Sequence, residues 1–389
     1  MQPRPFAIVH YHEIGLKGRN RSLFENILIR NLTATLDGTG AGKPRKLPGR
    51  VLISLDPDAA RELVAERLGK VYGIANFGLG VGGTLDAGSL ADIAWQVTSE
   101  HEFETFAVRA RKAHSDFALS TREINEKVGA SLLERSGKRV DLSNPDLTCR
   151  IEIVGDQVVV YADRRKGPGG LPVGSSGKVV ALVSSGIDSP VAAARMMRRG
   201  SRVVFAHFHS QPYTDGSSVR QAAEIVQILT AHQNASTLYL LPLAPAQQII
   251  AAGCPEPLRT LLYRRMMMRI ATEVAARESA KALVTGDSLG QVASQTLENL
   301  GVVEDAAGIP VLRPLVGRDK EEIVNEASAL GTFAVSSAPC QEACVLFEPK
   351  RPATKATVGQ TSEAESKLDL GALVTDSLEN AEVRTFRFP

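Results

Sequence analysis

Residues 180–191 read VALVSSGIDSPV, and no other stretch limits the fold as tightly. An apolar run of strand length, Val179 to Val183, breaks into Ser184-Ser185-Gly186-Ile187-Asp188-Ser189, and Pro190 stands where a helix starts. A strand, a small-residue loop and a helix N-terminus bring backbone N–H groups and hydroxyls to one point at the positive end of the helix dipole, so a phosphate or pyrophosphate is the natural guest. A plain Ser-Gly turn capping a core helix is the alternative. A Walker A loop is excluded: at Gly177-Lys178, Val179 replaces the required Ser/Thr and Pro172 the first glycine.

The chain of 389 residues predicts two or three domains. With 43% hydrophobic and 23% charged residues it can build real cores, and it has no apolar run long enough to span a membrane. The first residues, MQPRPFAIVHYHE, do not read as a signal peptide, and four irregularly spaced cysteines do not make a disulfide framework, so a cytoplasmic protein is expected. Net charge is only +2, yet residues 1–50 hold nine Lys/Arg against three acids, while the last thirty residues hold six acids against three bases. A basic head suits a nucleic-acid partner.

Strand 6–10, helix 20–36, strand 51–55 and helix 58–68 alternate as in a small ferredoxin-like unit, predicted over 1–74. Between the first two lies the basic loop that carries Lys17, Arg19 and Arg21. A second unit, 75–166, holds an amphipathic helix at 89–101 with Trp95, and a strand at 103–110 running into Arg109, Arg111 and Lys112. A helix opening at Ser120 with Glu123 as capping box follows, then two strands near 147–154 and 158–162. Arg164, Arg165 and Lys166 lead into a glycine and proline linker, 167–177. Two basic loops beside small αβ units suit RNA phosphates, read by shape and charge; a solvated surface is the alternative. From 178 to 389, strands and helices alternate, predicting a Rossmann-like parallel sheet with helices on both faces and ligands at the strands' carboxyl ends. There Ser184, Gly186, Asp188 and Ser189 would hold the pyrophosphate half of a nucleotide with Mg²⁺, beside Leu182 and Val183. No metal held by protein side chains alone is expected, since His207 and His209 lack a third ligand.

The loop resembles the SGGxDS signature of the ATP pyrophosphatases, the PP-loop enzymes, which form AMP and pyrophosphate from ATP to activate a carbonyl oxygen. Ser185 departs from it, standing where the family usually has glycine; were positive φ needed there, serine would cost roughly 1 kcal/mol. EIGLKGRNR at 13–21, RARK at 109–112, VGASLLE, VDLSNPDL and GPGGLPVG at 167–174 are similar to a ferredoxin-like domain, a THUMP domain and their linker. In this order before a PP-loop domain, they resemble the tRNA 4-thiouridine synthetase (thiamine biosynthesis sulfurtransferase) family.

That resemblance implies ATP and tRNA as ligands and a cysteine desulfurase or other persulfide donor as partner, and it leaves a homodimer open. It implies nucleotide contacts from His207, Phe208, Arg264, Gly286 and Gln295, with Arg265 as a further candidate for phosphate or RNA, and Asp287 where the family has glutamate. Cys344 matches the nucleophilic or persulfide cysteine; Cys340, four residues earlier, is either a resolving partner or inert. With Asp188 these are the candidate catalytic residues. Cys149 and Cys254 read as buried small hydrophobes. Residues 351–389 are too few for the rhodanese-like domain of long family members, so a short form is expected. Two alternatives stand beside this reading: a PP-loop RNA-modifying ligase with another nucleophile, and a tRNA-binding protein with a degenerate ATP site.

Overall fold

The computed structural model describes residues 4–83, 88–113, 115, 117–341 and 348–389, which form two compact units, Met1–Pro172 and Val173–Pro389. Among the described residues no helix is long and apolar enough to cross a membrane.

The amino-terminal unit runs β1 (Arg4–His10), α1 (Arg21–Thr35), β2 (Arg45–Leu47), β3 (Arg50–Ser54), α2 (Arg61–Leu68) and β4 (Asn76–Gly83). It continues through α3 (Leu90–Thr98), β5 (Thr105–Ala113), α4 (Thr121–Ser136), β6 (Arg139–Val140), β7 (Leu147–Val154), β8 (Gln157–Tyr161) and β9 (Arg165–Lys166). Its strands share one sheet in the order β2-β3-β1-β4-β8-β7-β5-β6, with β9 also on β4. The alternation of side chains fixes the layers. Ala7, Val9, Val51 and Ile53 face α1 and α2 through Leu28, Leu32, Val64 and Leu68. Val108, Cys149, Ile151 and Val160 face α3 and α4 through Ile93, Val97, Ile124 and Leu132. The register puts all these strand residues on one side. The other side carries a smaller apolar cluster, Ile8, Leu52, Val159 and Tyr161. The Tyr161 side chain lies across Gly78 and Gly80, where any Cβ would strike it. The capping box forms as expected, Ser120 accepting from the Glu123 N–H while Glu123 accepts from the Ser120 N–H.

The carboxy-terminal unit runs β10 (Lys178–Leu182), α5 (Asp188–Arg198), β11 (Arg202–His209), α6 (Ser217–Thr230), β12 (Ala235–Pro242), α7 (Ala244–Gly253), α8 (Arg259–Arg277) and β13 (Leu283–Val284). There follow α9 (Leu297–Glu304), β14 (Val311–Leu312), α10 (Lys320–Leu330), α11 (Phe333–Ser336), α12 (Val358–Glu365), α13 (Leu370–Glu379) and β15 (Glu382–Arg387). The sheet order is β14-β13-β10-β11-β12-β15. Five strands are parallel, as the alternation predicts, and β15 adds an antiparallel edge on β12. A 3₁₀ turn (Ala293–Gln295) precedes α9. On one face Val180, Val204, Ala206 and Phe208 share a core with α7, α8 and α13. On the other, α5 and α6 lie against β10 to β12.

Candidate active site

The turn after β10 reverses onto α5, and its own hydroxyls organise it. The Ser184 N–H donates to Ser189 Oγ at 2.8 Å, and the Gly186 N–H donates to Ser184 Oγ at 3.2 Å. Among the described residues only Asn234 and Ser279 combine a side chain with positive φ, so Ser185 sits in an ordinary backbone region and costs the loop no strain. Its side chain is buried, with Oγ 3.1 Å from Cys340 Sγ. Asp188 opens α5, where a carboxylate complements the helix dipole. It accepts from Lys320 Nζ at 2.7 Å and from Gln291 Nε2 at 3.1 Å.

At the end of β13 the chain passes so close to this turn that a Cβ on Gly286 would lie 2.7 Å from the Ser189 nitrogen. Only glycine lets the two strand ends meet. Between them opens a cavity of about 630 Å³, lined by Leu182, Ser184, Asp188 and Ser189 on one side and by Thr285, Gly286 and Asp287 on another. Arg264, Met267 and Met268 of α8, Ser294 and Gln295, and Glu348 and Pro349 are also part of the wall. The volume suits a nucleotide. Under it lies Asp287, almost fully buried. It accepts from Arg264 Nη2 at 2.5 Å, Thr285 Oγ1 at 2.7 Å and Gln295 Nε2 at 3.3 Å, with Arg313 Nε at 3.5 Å. Burial pushes its carboxyl up, but Arg264, the Thr285 hydrogen bond and Arg313 outweigh that and hold it below the usual carboxylate range. Gln295 Oε1 is buried with no partner, an acceptor beside the cavity.

The model of the thiamine biosynthesis protein (ThiI) matches residues 174–370, that of the ThiI ferredoxin-like domain 6–78, and that of the THUMP domain 88–163. A probable tRNA sulfurtransferase of Moorella thermoacetica is 40% identical over 97% of this chain and 97% of its own length. Its counterpart from Thermus thermophilus is also 40% identical, over 97% of this chain and 93% of its own. Among solved structures, a 4-thiouridine synthetase in complex with RNA and bound ATP superposes with a TM-score of 0.91 at 36% identity, covering 98% of this chain and 99% of that one. The chain belongs to the ThiI family.

Of the nucleotide contacts expected for a ThiI member, Leu182, Ser184, Asp188, Ser189, Arg264, Gly286 and Gln295 line the cavity, while Val183 and Gly186 belong to the strand end and turn beside it. His207 and Phe208 do not line it. On a strand covered on both faces, Phe208 points into the α8 core, and His207 points the other way, buried, its Nδ1 donating to the Val183 carbonyl at 2.9 Å. Burial pushes the His207 imidazole down to about 4, so it is neutral at physiological pH. Arg265, the further candidate for phosphate or RNA, has its guanidinium turned into the core and paired there. It is fully buried, its Nε and Nη2 each 2.9 Å from a Glu365 oxygen and its Nη1 donating to the Val302 carbonyl and to Asp305. With Arg269 it ties α12 to α8.

Cys340 lies next to the turn through Ser185. Its segment is held by Gln221 Nε2 donating to the Ala338 carbonyl at 2.9 Å and by the Gln341 N–H donating to Ser217 Oγ at 3.0 Å. Cys344 lies outside the described residues. Cys149 and Cys254 are buried as expected, and burial pushes the Cys149 thiol up to about 12. Lys320 was not singled out from the sequence, although a lysine in the first turn of α10 opposes the helix dipole and so signals a role of its own.

In the amino-terminal unit, Arg109, Arg111 and Arg164 converge on one small cavity. Lys17 lies 5.0 Å over the Phe24 ring, Arg19 is exposed, and Arg21 donates to Glu25 and Tyr11. Lys112 donates to the Phe117 carbonyl, and Lys166 is exposed. Arg165 is taken up by Glu62 and Asp163, two carboxylates that leave it little to offer a phosphate.

Proposed function

We propose that the chain converts a uridine of tRNA, position eight by family resemblance, to 4-thiouridine. Uracil O4 attacks the α-phosphorus of ATP, expelling pyrophosphate and leaving an O4-adenylate. The terminal sulfur of a persulfide on Cys344 then attacks C4, and AMP departs with the former O4. A thiol, that of Cys340 or of an external reductant, attacks the Cys344 sulfur of the resulting C4–S–S–Cys344 link, releasing 4-thiouridine and leaving a disulfide on Cys344 that an external thiol reduces for the next turnover. An amide-like oxygen is a poor leaving group and a phosphorylated one a good one, which is why ATP is needed. The observation that carries this reading is the cavity where the turn before α5, Gly286 and Arg264 meet. Ser184, Ser189 and the α5 N-terminus face the phosphates there, and Lys320 is poised beside Asp188 to share their charge. Mg²⁺ would be held at Asp188, offsetting the pyrophosphate charge. Arg264, fixed by Asp287 and the Ser294 carbonyl, keeps one orientation against the nucleotide. Sulfur reaches Cys344 from a cysteine desulfurase or another persulfide donor.

The test incubates the protein with tRNA, ATP, Mg²⁺ and a persulfide donor. It measures AMP and, by mass spectrometry of nucleosides, 4-thiouridine. Wild type yields both, and Cys344→Ala retains AMP formation while losing the thionucleoside. Absence of AMP from folded wild-type protein refutes the activity, and full thiolation by Cys344→Ala refutes the sulfur route.

A further inference from the structure

The arginines of the amino-terminal unit are placed against their own electrostatics. On the helix-free side of the sheet, a cavity of about 190 Å³ is lined by Arg109 and Arg111 of β5, Arg150 of β7 and Arg164. The register sets Arg109 directly opposite Arg150, two like charges side by side. One carboxylate lies in this cavity, that of Glu152, and it is committed elsewhere. It accepts from His10 Nε2 at 2.9 Å, from Tyr161 Oη at 2.6 Å and from Arg50. The partners of the cavity arginines are neutral: Arg109 donates to the Leu142 carbonyl and Arg164 to Asn76 Oδ1. Arg150 Nε is buried with no partner, and among the described residues no carboxylate pairs with any of the four. Burial, and then the nearby Arg164, Arg109 and Arg111 charges, push the Arg150 guanidinium below its usual range although Tyr161 opposes them. A protein keeps such a group when a ligand completes it.

We propose that this cavity is a phosphate socket: one phosphate group of the bound RNA sits among Arg109, Arg111, Arg150 and Arg164, with Arg150 at its centre. Converging planar guanidinium forks match phosphate oxygens better than a lone carboxylate does. A cavity this small takes one tetrahedral group, and Arg109, Arg111 and Arg164 are exposed at it. The inference rests on the RNA reading above and adds the point at which the backbone is gripped.

The test titrates full-length protein with a labelled tRNA transcript, made with and without a 5′-phosphate, across a series of salt concentrations. Arg150→Gln and Arg111→Gln are compared with Arg122→Gln, an equal charge change at a solvent-exposed arginine paired with Glu126. Expected are about tenfold weaker binding for Arg150→Gln, a smaller loss for Arg111→Gln, and a log–log salt slope shallower by about 0.7–0.9 for each. Arg122→Gln should bind as wild type does. A defect on both transcripts assigns the socket to a backbone diester, and one confined to the phosphorylated transcript assigns it to a terminal monoester; either supports it. Should Arg150→Gln lose the native Trp95 fluorescence, the exposed pair Arg111→Gln and Arg164→Gln carries the comparison. Variants that bind like wild type, or an equal loss in Arg122→Gln, overturn the socket while leaving RNA binding in place. Wild-type protein that does not bind the transcript overturns the RNA reading itself.

Discussion

In each unit of this ThiI member a buried carboxylate lies beside a group of arginines at a cavity, Asp287 in one and Glu152 in the other, and the two serve opposite ends. Asp287 is shared by Arg264, which lines the nucleotide cavity, and by Arg313 behind it, which also pairs with Glu304, so these cations are already balanced and fixed. Glu152 is consumed by Arg50, His10 and Tyr161, which leaves the four arginines beside it uncompensated. The first arrangement holds its charges in place before the ligand arrives, which suits chemistry that needs one geometry. In the second, the ligand supplies the missing charge, which suits affinity for a polyanion and makes it sensitive to salt.

The most severe way to break this comparison is Asp287→Asn. It strips Arg264 of its counter-charge and Arg313 of one of two, Glu304 being the other, so the carboxy-terminal unit should lose ~3–5 kcal/mol in chemical denaturation, and AMP formation should fall on the order of a hundredfold or more. Near-normal values would mean that the pairing does not organise the cavity. Acid titration comes next. Neutral His207, with its pKa at about 4 against an ordinary 6.5, stabilises the folded carboxy-terminal unit fully above about pH 6.5, and that contribution drains away as pH falls toward 4. Glu152 is driven up by burial but pulled down further by His10, Tyr161 and Arg50, to about 2 against an ordinary 4.5. Its contribution is complete above about pH 4.5 and is lost as pH falls toward 2. Each is worth up to roughly 3 kcal/mol. On acidification the carboxy-terminal unit should therefore loosen first, seen by circular dichroism while the fluorescence of Trp95, the chain's single tryptophan, stays native. Simultaneous loss of both signals would erase the distinction.

A subtler probe is Gly286→Ala, whose added methyl must push the end of β13 away from Ser189. A tenth-to-hundredth residual rate of AMP formation is expected, about the effect of displacing reactive groups by an ångström, with RNA binding unchanged. Smallest is Ser185→Gly. With no strain to relieve and the hydroxyl's contacts, that to Cys340 among them, to lose, it should change stability by about 1 kcal/mol and leave AMP formation within about threefold. A large gain in rate would show that the serine does narrow the loop.

The strand, turn and helix around Asp188 were legible because their signals are local: an apolar run, small residues and a proline within a dozen positions. Arg264 and Gly286 were reached through resemblance, and the cavity brings them together. Side-chain direction was not legible. A strand buried on both faces has no polar alternation to betray that His207 and Phe208 point into opposite layers. Arg264 and Arg265 are neighbours in sequence but about 100° apart around α8, and what decides between cavity and core is Glu365, a hundred residues downstream. Lys320 escaped for the same reason, its partner Asp188 being remote. The antiparallel β15 was not singled out, because an edge strand alternates charged and apolar residues whose pairing with β12 leaves no local mark.

Strand β4 hydrogen-bonds β1 on one side and β8 on the other, so the ferredoxin-like and THUMP segments divide at a place that no pair of scissors can cut cleanly. Severing the chain beside residue 75 would give one piece or the other a bare row of amide and carbonyl groups, an invitation to stick to its own copies. The two segments thus share one continuous sheet. Grafting either onto another protein would require carrying β4 along and covering its abandoned edge.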